Sequence, residues 1–453
     1  MRTPPASPRD PEKQGDTVRR TTPTAWAAAT LLVALIGSIA SVAPPEVAHA
    51  ADGEGVTPVP QGNGICTFPM KQQIKERPWA LQRIVLDQLW QDTKGRDTHG
   101  RPVRVAVIDT GVDNTNPQLA GAVDTKHGWD FLHHTKGGRN ATAGDPKAPT
   151  DGTYDPVGHG TKVAGIIAAR PRAGTGFVGL APEATIIPLR QNDENGSGTA
   201  ATLAQAIRKA IAADAGVINI SQDTTKPLSP NSDLAAAVKE ARHRNIVVIA
   251  SAGNDGLDGQ LKDTYPAAYD GVLAVASSDR NNERAPFSQS GDFIGVAAPG
   301  VDMVSTVPKG GQCVDNGTSF SAPYVAGVAA LLKAKHPDWQ EHQIVAQIEQ
   351  TAERTVNGKD TFVGWGVVDP VRALTEDAHP IDRPSADSGL AKAAPPDPTA
   401  WPDGESPQER MERYATYGVG AGGVAVAVIA GTAVVWRDVR KRDARGRAPR
   451  VNE

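Results

Sequence analysis

Three observations predict an α/β fold built on a mainly parallel sheet with helices on both faces, followed by one C-terminal transmembrane helix. Between about Cys66 and Thr375, short β-branched runs alternate with Ala-rich stretches of helical period, the pattern of a sheet buried on both sides. Near the C-terminus, Tyr417 to Trp436 is a run of 20 uncharged residues, the length a helix needs to cross a hydrocarbon core. Composition bounds the remainder: 39% hydrophobic residues supply a large core, while 46 Gly and 36 Pro imply many turns and a linker. With 47 Lys+Arg against 51 Asp+Glu there is no basic excess for nucleic acid, which is not expected as a partner.

Residues 1–50 read as a signal peptide. The 19 uncharged residues from Ala25 to Ala43 follow Arg19-Arg20 and precede Ala48-His49-Ala50, a small-x-small pattern suited to cleavage before Ala51. The same run is long enough to stay as an uncleaved anchor, and either reading sends the following chain outside. Thr21-Thr22-Pro23 after the arginine pair lacks the apolar residues of a twin-arginine signal, which points to the general secretory route. Residues 51–100 form an N-terminal extension and 101–375 the main domain. Within it, Val103 to Ile108, Thr185 to Leu189, Val217 to Ile220, Ile246 to Ala250 and Val272 to Ala276 read as buried strands. The segments Thr199 to Ala213, Asp233 to Arg244, Ser321 to His336 and Gln340 to Arg354 read as helices. Residues 376–414 are an expected tether, because Pro380, Pro384, Pro395, Pro396, Pro398, Pro402 and Pro407 stand among Ala, Asp and Ser that cannot bury enough apolar surface to fold. Residues 415–436 should span the membrane, with Tyr417 and Trp436 near its two faces and Gly418, Gly420, Gly422 and Gly423 open to close approach by another helix. The tail, 437–453, carries Arg437, Arg440, Lys441, Arg442, Arg445, Arg447 and Arg450 against Asp438, Asp443 and Glu453, which places it in the cytoplasm and the main domain outside.

Chemistry in such sheets gathers beyond the carboxyl ends of the strands. There the sequence places Asp109, at the end of the strand Val105-Ala106-Val107-Ile108. Gly158-His159-Gly160-Thr161 sets a histidine between glycines ahead of a helical stretch. Gly317-Thr318-Ser319-Phe320-Ser321-Ala322-Pro323 sets a serine at the start of an Ala-rich helix, whose free N–H groups favour developing negative charge. A serine hydroxyl attacks only when an imidazole takes its proton, and the imidazole needs a carboxylate to fix its tautomer; Ser319, His159 and Asp109 supply those roles. Taken singly, each has a plainer reading as a turn, cap or packed residue. The segment Ser251-Ala252-Gly253-Asn254-Asp255 follows another apolar strand and offers the Asn254 amide, with the Ser319 backbone N–H, as an oxyanion hole.

In the order Asp, His, Ser, with V-I-D-T-G-V, G-H-G-T, A-G-N-D and G-T-S-F-S-A-P over Val103 to Leu374, the chain resembles the subtilisin-like serine proteases. The layout of signal segment, extension with Pro78-Trp79 and Leu89-Trp90, protease domain, Pro-rich tether and membrane helix is similar to the mycosins, the membrane-anchored subtilases of type VII secretion systems. The resemblance implies a subtilisin-like fold and cleavage of protein or peptide substrates. It also implies partnership with the membrane components of a type VII system and attachment to the membrane through the C-terminal helix.

Departures from the family qualify that reading. Residues 51–100 are shorter than a folded inhibitory propeptide, so the resemblance implies a retained extension wrapped on the domain. Where the family usually has Ser followed within two residues by Gly along the substrate edge, this chain has Ser221-Gln222-Asp223, which with Ser251 and Gly253 would line that edge. Asp223 either prefers basic groups in the substrate or is a solvated edge residue. The two cysteines, Cys66 and Cys313, exclude a disulfide-dense scaffold; in an oxidising compartment they form one bridge, stapling the extension beside Ser319, or remain as two free thiols. His133-His134, Asp151 and Asp155 have no zinc-ligand spacing, no calcium loop is readable, and neither metal nor cofactor is expected. Two functions follow: an active serine endopeptidase, or a scaffold that steadies a secretion complex with little or no proteolysis.

Overall fold

The structure is a computed structural model that describes residues 66, 68–70, 73–134, 148–193, 198–223, 229, 232–259, 261–354, 356–386 and 406–445. The expected signal peptide, the first residues of the extension, the middle of the tether (387–405) and the end of the tail lie outside the described residues.

The elements run α1 (Trp79–Gln82), α2 (Leu86–Leu89), β1 (Arg104–Asp109), β2 (Trp129–Asp130), α3 (Phe131–His134), α4 (His159–Ala168), β3 (Thr185–Arg190), α5 (Ala200–Ala212) and β4 (Val217–Ile220). They continue with α6 (Asp233–His243), β5 (Val247–Ser251), β6 (Val272–Ser278), β7 (Ile294–Pro299), β8 (Met303–Thr306), β9 (Gln312–Asp315), α7 (Thr318–Lys335), α8 (Glu341–Gln350), α9 (Pro370–Thr375) and α10 (Pro407–Arg445). The first seven strands form one parallel sheet in the order β2-β3-β1-β4-β5-β6-β7, and β8 and β9 make a separate antiparallel hairpin.

Strand periodicity divides the core in two. Val105 and Val107 of β1 join Val217, Val247 and Ile249 against α4, α7, α8 and α9, while Ala106 and Ile108 join Ile187, Leu189 and Ile218 against α5 and α6. Helix α7 runs through the first of these layers and is buried from Thr318 to Ala334 but for Ser319, which accounts for its Ala, Val and Gly content. The extension completes that layer, with Ile74, Leu81, Ile84 and Leu89 buried in it.

Successive strands leave β1 in opposite directions, β3 to one side and β4 to the other. The crevice at this reversal is where a doubly wound sheet offers a site, and the carboxyl ends of β1, β4 and β5 open onto it.

The expected strands and helices all form, with ends shifted by a few residues. One shift matters: α7 begins at Thr318 rather than Ser321, so Ser319 lies in its first turn. Pro323 misleads a reading from sequence because it cannot donate to the carbonyl four residues back, that of Ser319. The structure fills that carbonyl from outside the helix, with the Ser221 hydroxyl donating at 3.1 Å. The expected tether is also shorter at its near end. Asp377 accepts from His336 Nε2 at 2.6 Å, Asp382 accepts from Gln343 at 3.0 Å, and the Ser385 N–H donates to Gln350 at 2.7 Å. At its far end, α10 begins at Pro407, inside the expected tether.

Cys66 and Cys313 are joined in a disulfide across a separation of 247 residues. The double substitution Cys66→Ser/Cys313→Ser is expected to lower the free energy of unfolding by about 2 to 5 kcal/mol, through the entropy returned to the unfolded chain. A denaturant titration in which the midpoint does not move would discard that account.

Candidate active site

Asp109 is the last residue of β1 and is fully buried, its Oδ1 accepting from the Thr110 N–H at 2.7 Å and from His159 Nδ1 at 2.7 Å. A carboxylate can only accept, so His159 carries its proton on Nδ1 and leaves Nε2 as the acceptor. Burial alone would lower the pKa of this imidazole. The charge and hydrogen bond of Asp109, helped by Asp155, outweigh burial and the opposing charge of Lys162, and hold it above the ordinary value of 6.5.

The two glycines around His159 have separate reasons. Gly158 caps α4 with a left-handed φ of 78°, and a Cβ there would stand 2.2 Å from the Phe68 ring of the extension. At Gly160 a Cβ would lie 2.1 Å from the Gly111 carbonyl and 2.9 Å from the Asp109 Cβ. The second glycine therefore lets α4 come close enough for His159 to reach Asp109. Asp155 ties the same loops together: it accepts from the Thr110 hydroxyl at 2.8 Å, from the Gly158 and Thr161 N–H groups at 2.8 Å each, and from the Thr161 hydroxyl at 2.5 Å. Burial pushes its carboxyl pKa up, against those hydrogen bonds.

Ser319 enters from the opposite wall, on the first turn of α7, where backbone N–H groups have no helical partner. Its hydroxyl donates to the Ser221 carbonyl at 3.2 Å rather than to His159. Ser221 thus meets Ser319 twice, through its carbonyl and its hydroxyl, and Asn219 Nδ2 donates to that hydroxyl at 2.9 Å. The Phe320 ring lies 5.3 Å from the His159 ring, tilted by 45°.

Asn254 follows β5 and is exposed to the cleft. Its Oδ1 accepts from the Thr318 N–H at 2.9 Å and the Thr318 hydroxyl at 3.0 Å, which orients the amide and leaves Nδ2 to donate elsewhere.

The expected edge residues are differently disposed. Ser221, Ser251 and Gly253 are buried, and the Ser251 hydroxyl has no hydrogen-bond partner among the described residues. Gln222 is half-buried and donates to Gln191, whose Nε2 donates to Thr202 at 2.9 Å. Asp223 has an exposed side chain, yet one carboxylate oxygen crowds Gly253, to within 2.8 Å of where a Cβ would stand. Loss of surrounding water and the neighbouring Asp255 push its pKa up to about 6. Among the described residues no group of three or more His, Cys, Asp or Glu is arranged to hold a metal.

The supporting roles carry little signal in sequence: Asp155, Thr318 and Asn219 touch no reacting atom, yet their hydrogen bonds hold the loop before His159, the Asn254 amide and the Ser221 hydroxyl. Pro323 alone carries a readable signal, since a proline in the second turn leaves a carbonyl that some other residue must satisfy.

Residues 100–366 match the profile of the Subtilase family. Thermitase of Thermoactinomyces vulgaris is 36% identical over 306 residues, covering 68% of this chain and 99% of its own. The thermophilic serine proteinase of Bacillus sp. (strain AK1) is 37% identical over 300 residues, covering 66% of this chain and 67% of that one. Among solved structures, MycP1 from the ESX-1 type VII secretion system is similar with a TM-score of 0.58 and 32% identity, over 70% of this chain and 89% of that one. MycP1 from Mycobacterium smegmatis gives a TM-score of 0.58 at 31% identity, over 72% and 91% of the two chains.

Proposed function

The chain belongs to the subtilase family of serine proteases, and from that premise we propose that it is a membrane-anchored endopeptidase acting outside the cytoplasm on substrates of a type VII secretion system. In this reading Ser319 is the nucleophile, His159 the general base and then acid, Asp109 its orienting carboxylate, and Asn254 Nδ2 with the Ser319 N–H the oxyanion hole. The observation that carries it is the 2.7 Å bond from His159 Nδ1 to Asp109, which leaves Nε2 free to accept in the crevice where Ser319 stands.

The cycle begins with rotation of the Ser319 hydroxyl from the Ser221 carbonyl toward His159 Nε2 as substrate enters, catalytic hydrogen bonds being commonly loose before substrate arrives. Ser319 attacks the scissile carbonyl, and its proton passes to His159, whose positive charge Asp109 stabilises. The amine leaves with that proton, and a water repeats the sequence on the acyl-enzyme. Thr318 prepares the oxyanion hole by holding Asn254 through Oδ1. Asn254→Ala is expected to lower kcat by roughly 10² to 10³ with little change in KM, a magnitude measured on subtilisin itself. A KM change of that size with kcat intact would assign Asn254 to substrate binding instead.

Because the base must be unprotonated, activity falls as pH drops through the His159 pKa. The raised value puts that fall above pH 6.5 in kcat/KM. A pH–rate profile with its acid limb below 6.5 would contradict the assignment.

Membrane attachment is the second part of the proposal. Helix α10 has 39 residues and a mean hydropathy of 2.0 over its apolar window, none of which is buried against the rest of the chain. It is long and apolar enough to span, and the arginines after Trp436 favour a cytoplasmic end. The exposed helix also suits a second task, steadying a secretion complex. Serine-directed fluorophosphonate labelling of the detergent-solubilised chain tests the enzymatic reading, with Ser319→Ala and His159→Ala as controls. Labelling lost in both variants supports it, and a folded chain that does not label moves weight to the scaffold.

A further inference from the structure

Lys162 is a charged side chain in an apolar place. It lies on α4 one turn beyond His159, with its side chain 8% exposed, and its Nζ donates to Asp315 Oδ2 at 2.5 Å. The same Nζ stands 5.5 Å from the centre of the Phe320 ring, and the His159 imidazole stands 5.3 Å from that ring centre to centre. Phe320 is therefore in contact with both an ammonium and the imidazole. A cation so placed is attracted to the ring and, across a thin apolar spacer, repels a second positive charge.

The four residues come from three separate elements: Lys162 and His159 from α4, Phe320 from α7 and Asp315 from β9. The backbone of Lys162 is fixed as well, since the Ser305 hydroxyl of β8 donates to its carbonyl at 2.6 Å. Burying an ammonium is costly unless it is paired, and a methionine of similar length would fill the space without that cost.

We propose that Lys162 is a positioning residue for the reaction, which braces Phe320 against His159 and, balanced by Asp315, sets how readily the general base takes up a proton. The inference rests on the protease reading of the site. The charged groups facing His159 among the described residues are Asp109 from β1 and Asp155 from the loop before α4, which favour the imidazolium, and Lys162, which opposes it.

The two partners therefore act in opposite directions. Removing the ammonium in Lys162→Met leaves the acids unopposed and is expected to move the acid limb of kcat/KM upward by a few tenths of a pH unit to about one. Removing the counter-charge in Asp315→Asn leaves the ammonium uncompensated, and the limb moves downward by a similar amount. Lys162→Arg restores the limb. A residue that merely filled space would not give shifts of opposite sign.

The test is the fluorophosphonate labelling rate of the full chain in detergent between pH 5 and 9, for wild type and the three variants, with thermal melting as a check of folding. Opposite shifts of the limb support the proposal. An unmoved limb in a folded Lys162→Met, or shifts of the same sign in both charge-removing variants, would overturn it. Should Lys162→Met not fold, Asp315→Asn at the more exposed end decides: a limb that stays or rises overturns the proposal. Labelling that is absent from the wild type, or independent of Ser319, overturns the protease reading and this inference with it. Ser319-dependent labelling with an unmoved limb overturns this inference alone.

Discussion

Replacing Ser319 with alanine is expected to lower turnover of a peptide substrate by roughly 10⁶, the scale found when the nucleophile is removed from subtilisin. In the first turn of α7, Ser319 stands at the helix's N-terminal N–H groups, one residue before Phe320, whose ring lies 5.3 Å from that of His159. Ser221 is buried, and its hydroxyl is engaged with the Ser319 carbonyl at 3.1 Å; Ser251 ends β5 and is buried. Neither can take over. His159→Ala should cost about as much as Ser319→Ala, and the double variant little more than either, because the groups act as a unit. The fold should hardly notice the loss of the Ser319 hydroxyl, whose hydrogen bond to the Ser221 carbonyl contributes on the order of 1 kcal/mol. Steady-state kinetics with a thermal melt checks both halves. If Ser319→Ala keeps more than a hundredth of wild-type turnover while folded, another nucleophile is at work. The same variant separates the two tasks proposed for the chain, since a scaffold role would survive it.

Much of the candidate site is legible in sequence because its residues sit where the chain changes character. Asp109 ends an apolar run, His159 stands between two glycines, and Ser319 follows Gly317-Thr318 into an Ala-rich helix. The buried strands are legible for the same reason, since a parallel sheet covered on both faces needs uninterrupted β-branched runs. The hairpin of β8 and β9 is not, because Met303–Thr306 and Gln312–Asp315 mix polar with apolar residues and pair with one another outside the parallel sheet. Phe68 is invisible for a different reason. Its place on Gly158 depends on the extension returning to the domain, which composition does not encode. Lys162 carries no signal in sequence, since only the approach of β9 and α7 gives it Asp315 and Phe320 as neighbours. The ordered stretch after α9 escapes notice because it is held by individual contacts such as His336 to Asp377, in a segment whose prolines advertise a tether.

Asp109→Asn is the variant that most sharply tests how the imidazole is controlled, with an expected loss of about 10⁴ in kcat, as measured on a protease of unrelated fold with the same three groups. Asparagine has the same shape, so packing against Gly160 should survive, but its two side-chain atoms differ where those of aspartate do not. Asp109 Oδ1 accepts from both the Thr110 N–H and His159, while Oδ2 is buried without a hydrogen-bond partner among the described residues. If the asparagine keeps its oxygen toward Thr110 and His159, the tautomer is preserved, but an amide NH₂ is buried unpartnered and no charge is left to stabilise the imidazolium. If it flips, its NH₂ faces the Thr110 N–H, donor against donor, and pushes the proton of His159 to Nε2, where it blocks attack. Either arrangement costs roughly 1 to 3 kcal/mol of stability for the unsatisfied group. The pH profile distinguishes them. With the tautomer kept, the acid limb moves below its wild-type position, because the Asp109 charge that raised the pKa is gone. With the flip, turnover is low across the whole range. A variant that stays within tenfold of wild type would mean that Asp109 does not control His159, and the base would need another orienting group.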